Sequence, residues 1–303
     1  MLAGIRPVAA SPSDSSLYTA RRARSHPTAY DSNPPFICAP RLNDDTHLRE
    51  AGLFGVRAGR QLRQRRVSES TVTAAFGEDV SSPYARLAAS LVGVLDTKEL
   101  FEALEMFERT RKRLACSTVV DACGGHGLVG LLFAAYSKPC TAVTLLDVRK
   151  PASYDAIYDA VCTVAPWVRT KLIRYIEADI RQLAPPEYDA CAVRELLVPN
   201  APSPHGVAVT AVHACGGLTD TCLSLGIALQ AQAMAALPCC FTGTATVGVP
   251  YGVRRVLGVG LAADCRRAFE LEAAGYAVDF AAVPQVVTPV NRILVAVKRH
   301  RPE

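Results

Sequence analysis

Apolar and polar positions between Thr118 and Lys150 predict the unit around which the chain folds. Residues 117–120 are a short β-branched run, and a glycine-rich turn follows it. Residues 128–135 form an apolar helical segment, and residues 141–146 form a second apolar run that ends at Asp147. The order strand, tight turn, helix, strand, acid is that of a β-α-β unit in a parallel sheet, which binds nucleotide-like ligands at its strand ends.

The alternation of apolar runs and helical patterns continues to the C terminus and predicts an α/β fold. It indicates helices at 154–164 and 261–274, whereas residues 188–197 fit a short strand or a helix. The continuous apolar run 207–212 is typical of a buried parallel strand. Further strands are predicted at 171–177, 233–237, 276–280 and 292–297.

Two helical patterns precede the first strand and predict a helical extension over residues 71–115, ahead of a domain at 116–303. One begins at Pro83, and the other runs from Asp96 to Leu114 with apolar side chains on one face. Glutamates occupy other positions of the second helix: Glu99, Glu102, Glu105 and Glu108. The extension either packs in front of the sheet as a substrate-binding element or covers an edge.

Composition excludes several classes of protein. Half of the 303 residues are apolar, which is enough for a large core. No run approaches the roughly 18 apolar residues of a membrane-spanning helix, so an integral membrane protein is not expected. The 11 cysteines lie mostly in apolar segments and predict reduced thiols in an intracellular, reducing compartment. Because no Cys-x-x-Cys pair occurs, no metal site is predicted. The oligomeric state is left open.

Positive charge is concentrated in the first part of the chain. Residues 1–66 contain 11 basic and 5 acidic residues, a net charge of +6, whereas the remainder contains 22 and 23, a net charge of −1. Residues 1–70 are therefore interpreted as a disordered basic arm. Their composition is typical of an organelle transit peptide or of an ordinary disordered tail, so the compartment is the cytoplasm or an organelle. The cluster at 57–66 either contacts RNA or is a solvated linker.

The glycine-rich turn suits two kinds of ligand. Gly125-x-Gly127-x-x-Gly130 satisfies the dinucleotide fingerprint, and its glycines let a ligand lie against the main chain. An acid, Asp121, ends the preceding strand, where it would repel the anionic pyrophosphate of a dinucleotide. Asp147 is placed to accept both hydroxyls of a ribose. A glycine-rich turn without a ligand is the third reading.

The segment Asp121-x-x-x-Gly125-x-Gly127 resembles motif I of the class I S-adenosylmethionine methyltransferases. Cys123 stands where that motif often has its first glycine. The resemblance implies S-adenosylmethionine as the cofactor, with Asp121 near its methionine end and Cys123, Gly125 and Gly127 against it. Asp147 would bind the ribose.

The same resemblance extends past the third predicted strand. Asp179, followed by Ile180, matches the acid that hydrogen-bonds the adenine amino group in these methyltransferases, although an exposed turn aspartate would look the same. The family fold implied is a Rossmann-like seven-stranded sheet, mostly parallel with an antiparallel last strand, with helices on both faces.

A second motif narrows the resemblance. His213-Ala-Cys-Gly-x-Leu-Thr-Asp220, followed by Pro238-Cys239-Cys240, resembles the methyltransferase-domain family that includes the glutathione S-transferase C-terminal-domain-containing protein and ribosomal-RNA-adenine-dimethylase-like proteins. It is also similar to tRNA 2′-O-methyltransferases that act in the acceptor stem. The resemblance covers residues 118–299. It implies methyl transfer to an acceptor, with RNA (tRNA or rRNA) favoured and protein or small-molecule acceptors open.

Three residues are candidates for chemistry at the acceptor. His213 is placed to act as a general base or to shape the pocket. Cys239 and Cys240 follow a strand and either add to a pyrimidine ring as nucleophiles or pack as small apolar residues. Besides a methyltransferase, the sequence allows an NAD(P)-dependent oxidoreductase and a catalytically silent methyltransferase fold that serves as a binding module.

Overall fold

A computed structural model describes residues 66–78, 81–183, 189–198, 206–241, 245, 247–284 and 287–299. Its centre is a seven-stranded sheet. The strands are β1 (Thr118–Ala122), β2 (Ala142–Asp147), β3 (Leu172–Glu177), β4 (Val207–Val212), β5 (Ala233–Leu237), β6 (Tyr276–Ala282) and β7 (Arg292–Lys298). Each strand lies within two residues of its predicted bounds, because β-branched and apolar runs of this length were a clear signal.

The strand order is β3-β2-β1-β4-β5-β7-β6. The strands β1 to β5 pair in parallel, whereas β7 is antiparallel to both of its neighbours, β5 and β6. The predicted fold class, a mostly parallel Rossmann-like sheet with an antiparallel last strand, is confirmed. The order reverses between β1 and β4, and ligands of such sheets bind at the carboxyl ends of the strands near that point.

Helices connect the strands. They are α1 (Glu69–Phe76), α2 (Pro83–Ser90), α3 (Thr97–Thr110), α4 (Leu128–Tyr136), α5 (Ser153–Val164), α6 (Ala190–Leu197), α7 (Leu218–Ala228), α8 (Tyr251–Leu257) and α9 (Val259–Ala273). The ambiguous segment 188–197 is helical: Asp189 caps α6 by accepting the Cys191 backbone N–H at 2.9 Å. Val193 and Leu197, one turn apart, are buried.

The sheet is covered on both faces. Successive residues of β1 point in opposite directions, so Val119 packs in one apolar cluster and Val120 in the other. The first cluster contains residues of α3, α4 and α5, such as Phe107 and Phe133. The second contains residues of α6, α7 and α9, such as Leu225. The prediction of helices on both faces is thereby confirmed.

Helix α3 is more deeply enclosed than its sequence suggests. Three of its glutamates, off the apolar face, are nevertheless buried, at 1% exposure for Glu102, 0% for Glu105 and 8% for Glu108. Each is paired with a cation of the same chain: Lys98 at 2.5 Å, Arg109 at 2.5 Å and Arg111 at 2.8 Å, respectively. A buried carboxylate needs such a partner. The helix therefore belongs to the core beside the sheet.

The described N-terminal residues begin just before α1, which starts at Glu69 behind an N-cap, Ser68. Of the predicted basic arm, residues 1–70, residues 1–65 lie outside the described part of the chain, so the disorder and the transit peptide stay predictions there, whereas residues 66–70 include the start of α1. Among the described residues, no helix combines the length and the apolar character needed to cross a membrane. The described cysteines form no disulfide bond.

Candidate functional site

A cavity opens between α3 and the carboxyl ends of β1 and β4. It encloses about 170 Å³. Its walls are Glu99 and Ala103 of α3, the turn from Cys123 to His126, and Val212 with His213 at the end of β4. Asp121 lies behind the turn as a further wall. The cavity is thus at the reversal of strand order, where the β-α-β pattern predicted a ligand.

Asp121 is a buried acid, and only one of its two carboxylate oxygens accepts a hydrogen bond from the described residues. The residue is 1% exposed, and its Oδ2 accepts the Gly130 backbone N–H at 2.9 Å. Its Oδ1 has no hydrogen-bond partner among the described residues. Burial raises the pKa of Asp121 to about 7, and the charge of Asp147 adds to this, against the hydrogen bond from Gly130. A cationic ligand group would satisfy both the spare oxygen and the charge.

The glycines of the turn serve two different needs. Gly125 has φ +52°, and a side chain there would meet open space, so the backbone is accessible to a ligand. Gly127 has φ +76°, and a Cβ there would lie 2.7 Å from Leu145 Cδ1. The first glycine therefore presents the main chain, and the second lets α4 approach β2 closely.

Asp147 and Tyr175 hold the turn in place. Asp147 Oδ2 accepts the Gly125 backbone N–H at 2.9 Å, and its Oδ1 accepts that of Val148 at 2.7 Å. The Tyr175 hydroxyl donates to the Gly125 carbonyl at 2.7 Å. Asp147 is next to the turn but outside the cavity wall. In this arrangement its carboxylate fixes the peptide that a ligand would touch.

The structure does not bring the two residues predicted to lie near adenine into the cavity. The Asp179 carboxylate accepts hydrogen bonds from Arg181, through Nη2 at 2.7 Å and the backbone N–H at 3.0 Å. These bonds lower the pKa of Asp179. Ile180 is 3% exposed in the apolar cluster on one face of the sheet. Asp179 is held by an exposed cation, whereas Ile180 is a core residue.

His213 lines the cavity beyond the end of β4 and has a left-handed backbone conformation, φ +62°. Its Nε2 is 2.7 Å from Glu102 Oε2. Burial alone would lower the pKa of His213, but hydrogen bonds with Cys239 and Glu102 outweigh it and raise the value to about 9. Burial likewise opposes ionisation of Glu102, yet its bond with His213 lowers its pKa. The pair is an imidazolium and a carboxylate.

The thiols predicted near the acceptor form a cluster behind His213. Cys215 Sγ is 2.7 Å from Cys239 Sγ. Together with Cys240 they bring three sulfur atoms within 4.8 Å of one another. Cys239 and Cys240 are not among the residues of the cavity wall. Of the three residues predicted for chemistry, only His213 therefore faces the cavity.

Two polar residues of the site escaped sequence reasoning. Glu102 contacts His213, which lies 111 residues further along the chain, and no local sequence pattern predicts such a contact. His126 occupies a variable position of the glycine motif. Its Nδ1 accepts the Leu128 N–H at 3.2 Å, and burial lowers its pKa to about 4, so it is a neutral wall residue.

The family comparison agrees with this geometry. Residues 96–246, about half of the chain, match the model of a family described as a methyltransferase domain. This segment is a methyltransferase domain. It includes α3 and the carboxyl ends of β1, β4 and β5, and so contains every wall of the cavity. No curated protein matches the chain in sequence.

Solved structures resemble the methyltransferase domain weakly. Human N-acetylserotonin methyltransferase in complex with SAM is 13% identical, with 84% of this chain and 66% of that one covered and a TM-score of 0.34. The 23S rRNA methyltransferase ErmE is 16% identical, with 69% of this chain and 70% of that one covered and a TM-score of 0.37. The B. subtilis M1A22 tRNA methyltransferase TrmK is 10% identical, with 64% of this chain and 66% of that one covered and a TM-score of 0.38. The chain spans about two thirds of these proteins, and the likeness is too low to support a function.

Proposed function

We propose that this protein transfers methyl groups from S-adenosylmethionine, and that the cavity at the ends of β1 and β4 binds this cofactor. The observation that carries the proposal is the buried Asp121 with its unpartnered Oδ1 beside the exposed main chain of Gly125. The methyl donor carries a sulfonium and an ammonium, both cationic, which this oxygen attracts. The pyrophosphate of a nicotinamide dinucleotide is anionic, so the same carboxylate disfavours an oxidoreductase.

The residues present fit such a cofactor. Asp121 suits its cationic end, and the turn from Cys123 to Gly127 presents the accessible main chain of Gly125, where a Cβ would meet only open space. Asp147 reaches the ribose side by giving up or sharing its bond to the Gly125 N–H. When bound, the cofactor supplies an electrophilic methyl group, and the protein's part is to hold an acceptor in line with it.

At the acceptor end we propose His213 as the residue that contacts the acceptor. It lines the cavity, and Glu102, itself 1% exposed, fixes its ring through the 2.7 Å contact. A ring that is partly exposed to the cavity and anchored by a buried carboxylate suits a residue that must align two reactants. Cys239 and Cys240 lie behind this ring, so we do not assign them a nucleophilic role.

RNA is the acceptor class that we propose. Residues 1–66 carry a net charge of +6, which favours a polyanion over an apolar small molecule or a neutral protein surface. The rest of the chain, at −1, would contribute little to this attraction. Methyl transfer to RNA should therefore weaken steeply with salt, and deletion of residues 1–65 should remove most of that salt dependence.

Calorimetric titration of the full-length chain with S-adenosylhomocysteine, and separately with NADH, tests the cofactor. We expect binding of the first ligand alone. Asp121→Asn should weaken it, whereas Asp155→Asn, at an exposed acid of α5, serves as the matched control and should not. Transfer of tritiated methyl groups into total RNA then tests the acceptor. Binding of NADH would overturn the cofactor assignment. Binding without transfer to RNA, protein or small molecules would favour a silent binding module.

A further inference from the structure

Three thiols converge at the carboxyl ends of β4 and β5. Cys215 lies in the turn after β4, and Cys239 and Cys240 follow β5 directly. All three sulfur atoms lie within 4.8 Å of one another, and those of Cys215 and Cys239 are 2.7 Å apart. Cys215 is exposed and the other two are half-buried, so an ion can reach the cluster from solvent.

The spacing of the sulfur atoms fits a shared metal ion. A Zn–S bond is about 2.3 Å long, so two thiolates of a tetrahedral site lie roughly 3.8 Å apart. The sulfur atoms of Cys215 and Cys239, at 2.7 Å, are closer than this value, so Cys215 needs to move by about 1 Å to reach it. The Cys215 side chain is exposed, which leaves it room to move towards solvent. Soft thiolate ligands select Zn²⁺ over the harder divalent ions.

The surroundings supply the supporting bonds that metal thiolates receive. The His213 side chain hydrogen-bonds the thiol of Cys239, and its Nε2 contacts Glu102. Hydrogen bonds of this kind orient ligands and offset the negative charge that three thiolates retain around a divalent ion. The turn that carries Cys215 begins at the left-handed residue His213, whose backbone N–H donates to the Leu237 carbonyl at the end of β5 at 3.1 Å.

We propose that Cys215, Cys239 and Cys240 bind one Zn²⁺ ion through three thiolates. Each thiol releases its proton to solvent on binding, and the fourth coordination position is open to water or another ligand. The ion joins the turn after β4 to the end of β5 and so fixes His213 in the cavity wall. Sequence reasoning predicted no metal because the ligands come from two strands 24 residues apart instead of one Cys-x-x-Cys pair.

Cobalt titration of the reduced, metal-free, full-length protein tests the site. One equivalent of Co²⁺ should produce intense thiolate-to-metal absorption, and Zn²⁺ should displace it. Alkylation with and without Zn²⁺, followed by peptide mass spectrometry, should show protection of these three cysteines. Absence of the absorption band, or protection of other cysteines, would overturn the proposal. Loss of the thiols of Cys215 and Cys239 without metal, with recovery by reductant, would identify a disulfide and also overturn it.

Variants sharpen the assignment. Cys215→Ser and Cys239→Ser should each weaken Co²⁺ binding by more than the roughly 10- to 100-fold that the loss of a supporting residue costs. Cys191→Ser, at an exposed cysteine of α6, is the matched control and should leave the affinity within about twofold. Unchanged affinity in both test variants would refute the site. If a variant fails to fold by circular dichroism, the protection pattern of the unaltered protein decides. S-adenosylhomocysteine titration in parallel keeps this outcome separate from that of the cofactor proposal.

Discussion

The ends of β1 and β4 carry the same four residues, Ala-Cys-Gly-Gly, at 122–125 and 214–217. An aspartate precedes the first copy and a histidine the second. The two strands are neighbours, and their register pairs Asp121 with Thr210, so His213 lies three residues further along. The acid is therefore inside the strand, whereas the histidine lies beyond the strand end.

This offset gives identical residues different conformations. In the first copy the left-handed residue before the glycines is the cysteine, Cys123, at φ +56°. In the second it is the histidine, at φ +62°. Asp121 is consequently 1% exposed, whereas 33% of the His213 side chain is exposed. The register of the sheet, and not the short motif, makes one end suited to a cofactor and the other to an acceptor.

Replacement of His213 should have the largest effect on this contrast. In His213→Ala, methyl transfer should fall about 100-fold, because an acceptor misplaced by an ångström loses that much rate. Affinity for S-adenosylhomocysteine should stay within about threefold, since the cofactor end is intact. Radiolabelled methyl transfer and calorimetry measure the two effects. Equal loss of both would mean that His213 supports the whole cavity.

Asp121→Asn should affect the cofactor end instead. The loss of a charged interaction should weaken S-adenosylmethionine binding by about 1.5–3 kcal/mol, or roughly 10- to 150-fold. Asparagine keeps an acceptor for the Gly130 N–H. Calorimetry measures the change, and an unaltered affinity would show that the cationic group binds elsewhere.

The same variant should also change how the free energy of unfolding depends on pH. Asp121 has a pKa of about 7 in the fold against about 3.9 unfolded. The folded state therefore holds the extra proton between these values, and stability falls as pH rises from 4 to 7. The full cost above pH 7 is roughly 4 kcal/mol as an upper figure. Urea unfolding at pH 5 and pH 8 should show this fall in the unaltered protein and much less of it in Asp121→Asn.

Asp147→Ala should weaken S-adenosylhomocysteine binding by an intermediate amount. Loss of its carboxylate removes the expected ribose contact and the bond to the Gly125 N–H, for about 1–3 kcal/mol of S-adenosylhomocysteine affinity. Asp147→Asn keeps an acceptor and should lose less. Affinity unchanged in the alanine variant would contradict the assigned ligand position.

Much of the fold was predictable because its signals are local. Apolar runs placed all seven strands, and the glycine motif placed the turn after β1. The segment 188–197 could not be assigned, since its helix is only eight residues long and a short apolar run fits a strand equally well. The burial of Glu102, Glu105 and Glu108 was not foreseen, because their cationic partners lie three or four residues away, a spacing that a solvent-exposed helix face shows equally well.

The site was predictable where a motif names its residues and not where distant segments meet. Asp121 and Gly125 were placed at the cavity by the spacing of one turn. Glu102 and the convergence of Cys215 with Cys239 come from separate elements, so no spacing announces them. Asp179 shows the reverse: its position fits the motif, but Arg181, two residues later, occupies its carboxylate.

Removal of the Arg181 side chain from the Asp179 carboxylate should have the smallest effect on cofactor affinity. Arg181 is 69% exposed, so Arg181→Gln should leave the midpoint of urea unfolding unchanged. If Asp179 hydrogen-bonds the adenine amino group, removing its competitor should raise S-adenosylhomocysteine affinity by up to about fivefold, because an exposed ion pair is weak. Asp179→Ala should lower the affinity instead. No change in either variant, measured by calorimetry, would show that adenine is held by other residues and that the matching position is only a turn.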